Sequence, residues 1–459
     1  MPEATPPSDA QRERIERARR LFVDLSPRRL FFTAAVPGAL SMLSSSLYDL
    51  ADGIFVGQIL GEQAFAAVNF AMPFVIMVFA FGDLVGVGSS VPISIALGRG
   101  DHDRANNVFS CSIIMNVAGG GLLGGLLWLL SPWIMGMLGA TGELADMAVT
   151  FVRMYALWSP VTTTMFAIDN YLRICGKIKS ALALNVFMAL VGAAVEFSLL
   201  YYARLGVFGA ALGYCVAIAS AVVVGMAPFA AGRMLLRLVR PRFTLELVRE
   251  VMVAGMSAFL NNVASRLAAV ILNVALLSTG GARAVSVYGM LMYAGGFIYP
   301  IIYGICDSLQ PAVGYNWGAR HFERVRAIER WCFGAAAFVG VGFSCVMFLF
   351  PEQVTRIFMA DASGELLALA IWAFRCFSLT YLVRWFPIAT LSLFTATENP
   401  KLAVLLSIFF ALVAPLVALG VLWPLGLTGL WLNVPLSGLL SAGVALGLIR
   451  AFRDELHLR

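Results

Sequence analysis

Apolar stretches of about 20 residues or more follow one another along nearly the whole chain, separated by short polar or Gly/Pro-rich breaks, and each is long enough to cross a hydrocarbon layer of about 30 Å as a helix. Twelve spans are predicted, near residues 32–58, 64–97, 108–130, 147–170, 180–202, 206–230, 250–278, 284–317, 329–350, 366–396, 402–423 and 427–450. They are apolar all round, as between Val108 and Leu130. Barrel strands would instead alternate with period two over about ten residues. The pattern predicts an all-α, polytopic membrane protein.

Composition strengthens this reading. Of 459 residues 60% are hydrophobic and 13% charged, where a soluble domain carries about 25% charge. That excludes a disordered chain and a secreted disulfide scaffold. The net charge of +6 would suggest a nucleic-acid partner if the basic residues formed a patch, but their positions describe topology instead. With the N-terminus inside, the inner segments hold 25 of the 32 Lys and Arg, and the outer loops hold only Arg204, Arg283 and Arg356. The positive-inside rule then places both termini in the cytoplasm, in a cytoplasmic (inner) membrane, with the lipid bilayer and no nucleic acid as surroundings. Seven basic residues from Arg12 to Arg29 precede the first span without a short apolar core or a cleavage site, so this arm is expected to be retained. The seven cysteines lie in or beside apolar runs without C-x-x-C spacing and read as small core residues.

The second half repeats the first. KSALALNVFMALV (Lys179 to Val191) aligns with KLAVLLSIFFALV (Lys401 to Val413) at an offset of 222, with seven identities in thirteen. GVFGAAL (Gly206 to Leu212) meets GLTGLWL (Gly426 to Leu432) at 220, and LGRGDHDRA (Leu97 to Ala105) meets WGARHFERV (Trp317 to Val325) at the same offset. Three matches in one order at nearly one offset indicate duplication. Six spans per half return the chain to its starting side, so two pseudo-symmetric six-helix lobes are expected, related by an axis along the membrane normal, as in secondary transporters with a site between their halves. The organisation expected is a basic arm (1–31), a first lobe (32–231), a linker containing Pro241 (232–249), a second lobe (250–450) and a short tail (451–459).

The succession D-x-x-F-V-G (Asp52 to Gly57), G-D-L-V-G-V-G (Gly82 to Gly88), A-L-G-R-G-D (Ala96 to Asp101) and G-A-A-L-G (Gly209 to Gly213) resembles the multidrug and toxic compound extrusion (MATE) family of the MOP superfamily. The likeness is greatest to the branch that includes a staphylococcal multidrug exporter, and it runs from about Pro37 to Arg450. It implies twelve helices in two lobes and cation-coupled export of amphipathic, often cationic compounds. It also implies that Asp52 holds the place of the family's first-span acid, that Glu196 stands where relatives often have Asp, and that Asp307 aligns with a Glu of the same branch.

Acids inside spans cost about 2.5 to 3.5 kcal/mol at the bilayer centre and so mark candidates. Asp49 and Asp52 are three apart on one helix face, and two carboxylates so close do not both ionise readily, as suits a group that loads and releases a proton. The competing reading is a helix end facing outer water. Asp52, Asp49 and Glu196 are the candidate cation-coupling residues. For Glu196 the alternative is an interfacial acid near Arg204. Asp307 is a candidate attraction point for a cationic cargo, with an ion pair to Arg266 as the alternative, and Tyr299, Tyr303 and Arg266 complete the candidate substrate site. Tyr288, Tyr293 and Tyr315 offer further aromatic surface along the same path. Asp83 reads as a packing or hydrogen-bonding residue, and Asp169, Asn170 and Arg173 as a snorkelling, solvated helix end. Arg266, Arg375 and Arg384 are expected to seek carboxylate partners. Pro73 and Pro92, with Pro300 and Pro311, should bend the second and eighth spans along a central cleft, and Gly82/Gly86 and Gly121/Gly125 should mark close helix packing.

No phosphate loop, H-E-x-x-H motif or catalytic pair is present, so an enzyme, a cofactor and a metal site are not expected. The expected function is a proton- or sodium-coupled antiporter, with protons favoured because the tenth span has no acid to assist Asp307. It would export an organic cation or drug by rocker-type alternating access and act as a monomer. The alternative is a flippase for a lipid-linked precursor, which would want the basic central cavity that Arg266, Arg375 and Arg384 suggest.

Overall fold

The computed structural model describes residues 9–358 and 364–457. Residues 1–8 of the expected arm, and residues 458 and 459 of the tail, lie outside the described residues. A short helix α1 (Asp9–Arg19) leads into the first long helix, α2 (Pro27–Leu60), capped by the Ser26 side chain on the Arg29 N–H at 3.4 Å with Pro27 in the first turn. The rest of the first lobe is α3 (Glu62–Gly98), α4 (His102–Met137), α5 (Gly142–Ile174), α6 (Ile178–Tyr202) and α7 (Gly206–Ala230). The second lobe begins with α8 (Leu245–Gly281) and α9 (Arg283–Gly318), parted by Gly281 at φ 64°, a value that glycine adopts freely. It continues with α10 (Phe322–Leu349), a short α11 (Pro351–Phe358) and α12 (Gly364–Ala396). Next comes α13, in the consecutive pieces Pro400–Ile408, Phe409–Val413 and Ala414–Leu422, and last α14 (Gly426–Ala451).

Ten stretches are long and apolar enough to cross a membrane. One of them, Pro400–Ala451, breaks at Trp423–Leu425, where Gly426 has φ 56°, and so supplies two helices. The more polar α5, which buries Ser159, Thr162, Thr163 and Thr164, is the remaining one, giving twelve long helices among the described residues. The helices run on through Pro73, Pro92, Pro300 and Pro311, because the fixed φ of proline is itself helical.

Within the first lobe, close packing falls partly where the small residues predict it. Gly82 and Gly86 lie on Thr163, Phe166 and Ala167 of α5. On α4, however, it is Gly120 and Gly124 that meet α5, with Ser159 donating to the Gly120 carbonyl at 2.7 Å, while Gly125 faces open space. The expected Gly121/Gly125 face is therefore one residue out of phase, about 100° of rotation around the helix.

The lobes touch mainly at the end of the bundle where the basic loops lie. There the pseudo-symmetry is nearly exact in contact: a Cβ on Gly98 would strike the carbonyl group of Tyr315, and a Cβ on Gly318 would strike that of Ile95. Deeper in the same half, Gly38 of α2 abuts Gly304 and Ser308 of α9, and Gly255 of α8 abuts Leu84 of α3. The ion pairs Arg99–Glu398 and Arg104–Glu250 also cross between the lobes at this end. The structure is closed at the basic end.

The segment before α2 is part of this closure. Phe22 is buried and packs on Tyr315, its carbonyl accepting from Asn316 at 2.9 Å and from the Arg324 Nε at 3.0 Å, and Arg324 also donates to the Leu25 carbonyl. Arg14 of α1 donates to the Gly232 and Met234 carbonyls beyond the first lobe. The first segment thus bridges both lobes. Arg104, the counterpart of Arg324 in the repeat, holds Glu250 at 2.7 Å across the lobes.

Candidate functional site

The first-lobe acids converge in the half away from the basic end. Tyr48, Asp49 and Asp52 occupy consecutive turns of α2, above a final π turn at Val56–Leu60, and Glu196 sits on α6 just before a π turn at Ser198–Tyr202. Such turns cluster at functional sites. Close approach of these helices depends on glycine: Gly192 lies under the Tyr48 ring, and Gly213 of α7 against the backbone of Glu196. Glu196 is fully buried; its Oε2 accepts from the Tyr48 hydroxyl at 2.7 Å, and its Oε1 has no protein donor. Beside it stands Asp52, whose carboxyl group lies within hydrogen-bonding reach of Glu196. The reading of Glu196 as an interfacial acid near Arg204 is therefore overturned. Stacking orders the surroundings: Tyr48 lies parallel to Tyr214 at 5.1 Å, and Tyr155 and Phe79 complete an aromatic wall.

Exposure falls in steps along this group. Asp49 is exposed to the space between the lobes, Asp52 is half-buried, and Glu196 is enclosed. Across that space the exposed Arg266 of α8 is the positive charge that acts on Asp49. Arg266 therefore faces the first-lobe acids, and the alternative of an ion pair with Asp307 does not form.

Asp307 belongs to a second group nearer the basic end. Its Oδ1 accepts from Gln310 at 2.8 Å, Gln310 also donates to Ser392, and the opposing positive charge is Arg173 of α5. Arg173 is only 3% exposed and is paired with Asp169 at 2.7 Å, while Asn185 donates to Asp169 at the same distance. The expected snorkelling helix end is corrected: this arginine is turned inward, because the carboxylates it can pair with are inside. Asp83 accepts from Asn262 of α8 at 3.3 Å, a hydrogen bond between lobes, in keeping with the role expected of it.

Tyr299 meets a different cation, whereas the Tyr303 hydroxyl accepts from Asn261 of α8 at 3.5 Å. The Arg384 guanidinium stands over the Tyr299 ring at 5.2 Å and over the Phe410 ring at 4.6 Å, and Tyr381 packs on Tyr299 at 5.6 Å. Arg384 falls at a break within α12, between Val383 and Trp385, and Phe410 in the π turn of α13. No carboxylate pairs with Arg384 among the described residues, so the expectation of such a partner is corrected in favour of aromatic faces. Arg375 is exposed rather than buried. Of the tyrosines expected along the cleft, Tyr315 serves closure of the basic end instead.

Sequence reasoning missed Tyr48, Tyr155 and Tyr214. Tyr48 carried a signal, one helical turn before Asp52 and next to Asp49.

Comparison with known proteins agrees with this architecture. The MatE family model matches twice, over residues 37–198 and 258–419, once in each lobe. The chain is similar to the multidrug export protein MepA of Staphylococcus saprophyticus, 23% identical over 431 residues, covering 92% of this chain and 93% of the relative. Its fold is that of a MATE protein solved in complex with MaL6, at a TM-score of 0.90 and 21% identity, covering 96% of this chain and 99% of that one. An outward-facing multidrug resistance MATE transporter of the MOP superfamily matches at a TM-score of 0.88 and 21% identity, covering 96% and 98%. With the family model matched in both halves of a twelve-helix bundle, this chain belongs to the MatE family and is a multi-pass membrane transporter.

Proposed function

We propose that the protein is a cation-coupled multidrug efflux antiporter in which the carboxyl pair Asp52 and Glu196 carries the coupling cation. The observation behind this reading is a fully buried Glu196, one oxygen of which has no protein donor, with the Asp52 carboxyl group close enough to act on it. Two carboxylates placed so repel each other and only accept hydrogen bonds, so a cation between them relieves both. A proton fills that place without further ligands, whereas a hard metal cation gathers several oxygens, and the pair is walled by Tyr48, Tyr214 and Tyr155. Protons are therefore favoured. Asp49, Asp52 and Glu196, exposed in decreasing order, form a path from the open space inward.

The distribution of Lys and Arg supports a cytoplasmic basic end and cytoplasmic termini in the inner membrane. The half that holds these carboxyl groups then faces outside, and closure of the basic end suits a state that takes up the coupling cation there. Loading Glu196 and Asp52 neutralises charge that would otherwise hold an organic cation, and the two bound species are coupled through the shared pair of lobes. Each chain holds both lobes, so it works as a monomer. The flippase reading has less support: Arg266 is answered by Asp49 and Arg384 is covered by aromatic rings.

The test is transport by purified protein in liposomes, with proton and sodium gradients imposed separately against a fluorescent organic cation. Asp52→Asn should insert and fold normally yet lose gradient-driven export. Export by that variant at the wild-type rate would refute the assignment.

A further inference from the structure

Besides the carboxyl groups of the first lobe, a second cluster, around α9, α12 and α13, presents Arg384 among tyrosines. Hydrogen-bond accounting makes that second group unusual. The Arg384 Nε, the Tyr381 hydroxyl and the Tyr299 hydroxyl are buried and unpartnered. Anything the Tyr299 oxygen accepts from the guanidinium still leaves its own O–H without an acceptor. Buried polar groups are nearly always hydrogen-bonded; the Arg384 Nε is a donor, both hydroxyls can donate as well as accept, and no ion pair joins Arg384 to a carboxylate among the described residues. Phe410 and Tyr299 lie against the guanidinium, and its Nε, which has no acceptor, is what remains for a ligand. A planar guanidinium edge with flanking hydroxyls is suited to an anionic group, which it holds with charge-assisted bonds.

We propose that Arg384, with Tyr299 and Tyr381, forms an anion site in the second lobe that takes the carboxylate of a dipolar cargo. The proposal rests on the reading of the protein as an exporter of amphipathic cations and narrows it: the cationic end of such a cargo faces Asp49 and Asp52, and its anionic end faces Arg384. A free inorganic anion such as chloride shares this chemistry, so the experiment separates the two sources.

Binding is measured with a pair of dyes, a cationic rhodamine methyl ester and the same rhodamine with its carboxylate free, on purified wild type, Arg384→Gln, Arg384→Lys and Tyr299→Phe. In parallel, unfolding midpoints are taken in a low-salt HEPES buffer free of carboxylates and halides, titrated with chloride or acetate. For a cargo carboxylate, Arg384→Gln weakens the free-acid dye about ten- to a hundredfold and leaves the ester unchanged. Arg384→Lys, which keeps the charge, retains part of that affinity, and Tyr299→Phe weakens it less. For a free anion, chloride raises the wild-type midpoint but not that of Arg384→Gln, and the affinities of the two dyes keep their ratio. If Arg384→Gln leaves the dye ratio unchanged and neither anion raises the wild-type midpoint, the site is refuted. Should wild type bind neither dye, the exporter reading fails, while the anion titration still decides the site.

Discussion

Closure of the basic end rests on backbone approaching backbone, which makes a single methyl group a large perturbation. In Gly318→Ala the new Cβ would lie 3.0 Å from both the carbonyl carbon and the Cα of Ile95, with the carbonyl oxygen closer still. In Gly98→Ala it would lie 2.9 Å from the carbonyl carbon of Tyr315. Carbon–carbon contacts settle at about 3.5 to 4.0 Å, so the lobes must part by roughly half an ångström or more. The obstacle is a carbonyl group held within a helix, not the end of a flexible side chain. Overpacking of this kind costs about 1 to 3 kcal/mol. That cost applies only where the lobes touch, so it lowers the closed population by about tenfold to more than a hundredfold relative to the state open at this end. Spin labels on Asp103→Cys and Glu323→Cys, exposed in the equivalent first turns of α4 and α10, report the separation once the exposed Cys345 is replaced by Ser. Each alanine variant should move the distance distribution toward longer values, and by similar amounts, because the two contacts are related by the repeat. A distribution unchanged in both variants would refute the claim that these glycines set the closed state.

Two further outcomes follow from the same contacts. Removal of residues 1–24, or Arg324→Gln, takes away the grip of the first segment on α9 and α10, and the same label pair should report a larger open fraction; an unaltered distribution would show that the segment does not hold the end shut. Tyr48→Phe leaves a buried carboxyl oxygen of Glu196 without its donor, at a cost of about 1 to 3 kcal/mol. It should lower the unfolding midpoint and slow gradient-driven export without changing membrane insertion, whereas wild-type values for both would remove that bond from the mechanism.

Repeats were the most legible feature. The match of LGRGDHDRA with WGARHFERV pairs Gly98 with Gly318 and Arg104 with Arg324, and in the structure each pair does equivalent work on opposite lobes. Acids inside spans were also legible as candidates, since their cost in lipid singles them out. Their partners were not. Glu196 meets Asp52 only because Gly192 and Gly213 let α2, α6 and α7 approach, a tertiary fact with no local signature. Helix phase was hidden for a related reason: α4 is apolar on every side, so no amphipathic stripe tells whether Gly120/Gly124 or Gly121/Gly125 faces α5. Arg173 was misread because its distance from the loop in sequence says little about which way it turns; the half-buried Asp169 and the charge of Asp307 decide that.

These features meet on α2. Its start is tied to the second lobe through the Phe22 and Leu25 carbonyls, Gly38 rests on Gly304, and Tyr48, about 15 Å further along the helix, holds Glu196. A helix so anchored has two arrangements rather than a continuum, because both contacts are tight packing or a single directed bond. Opening the basic end must lift Gly38 from Gly304, and the same rigid rod then changes the angle at which Tyr48 and Asp52 meet α6. Coupling between the site and the closed end needs no other route, and the demonstration required is energetic. Gly318→Ala and Tyr48→Phe are well separated in the fold, so independent effects would add in the label-pair population. If α2 transmits between them, the double variant departs from additivity, and full additivity would mean that the carboxyl pair and the glycine contacts act on different elements.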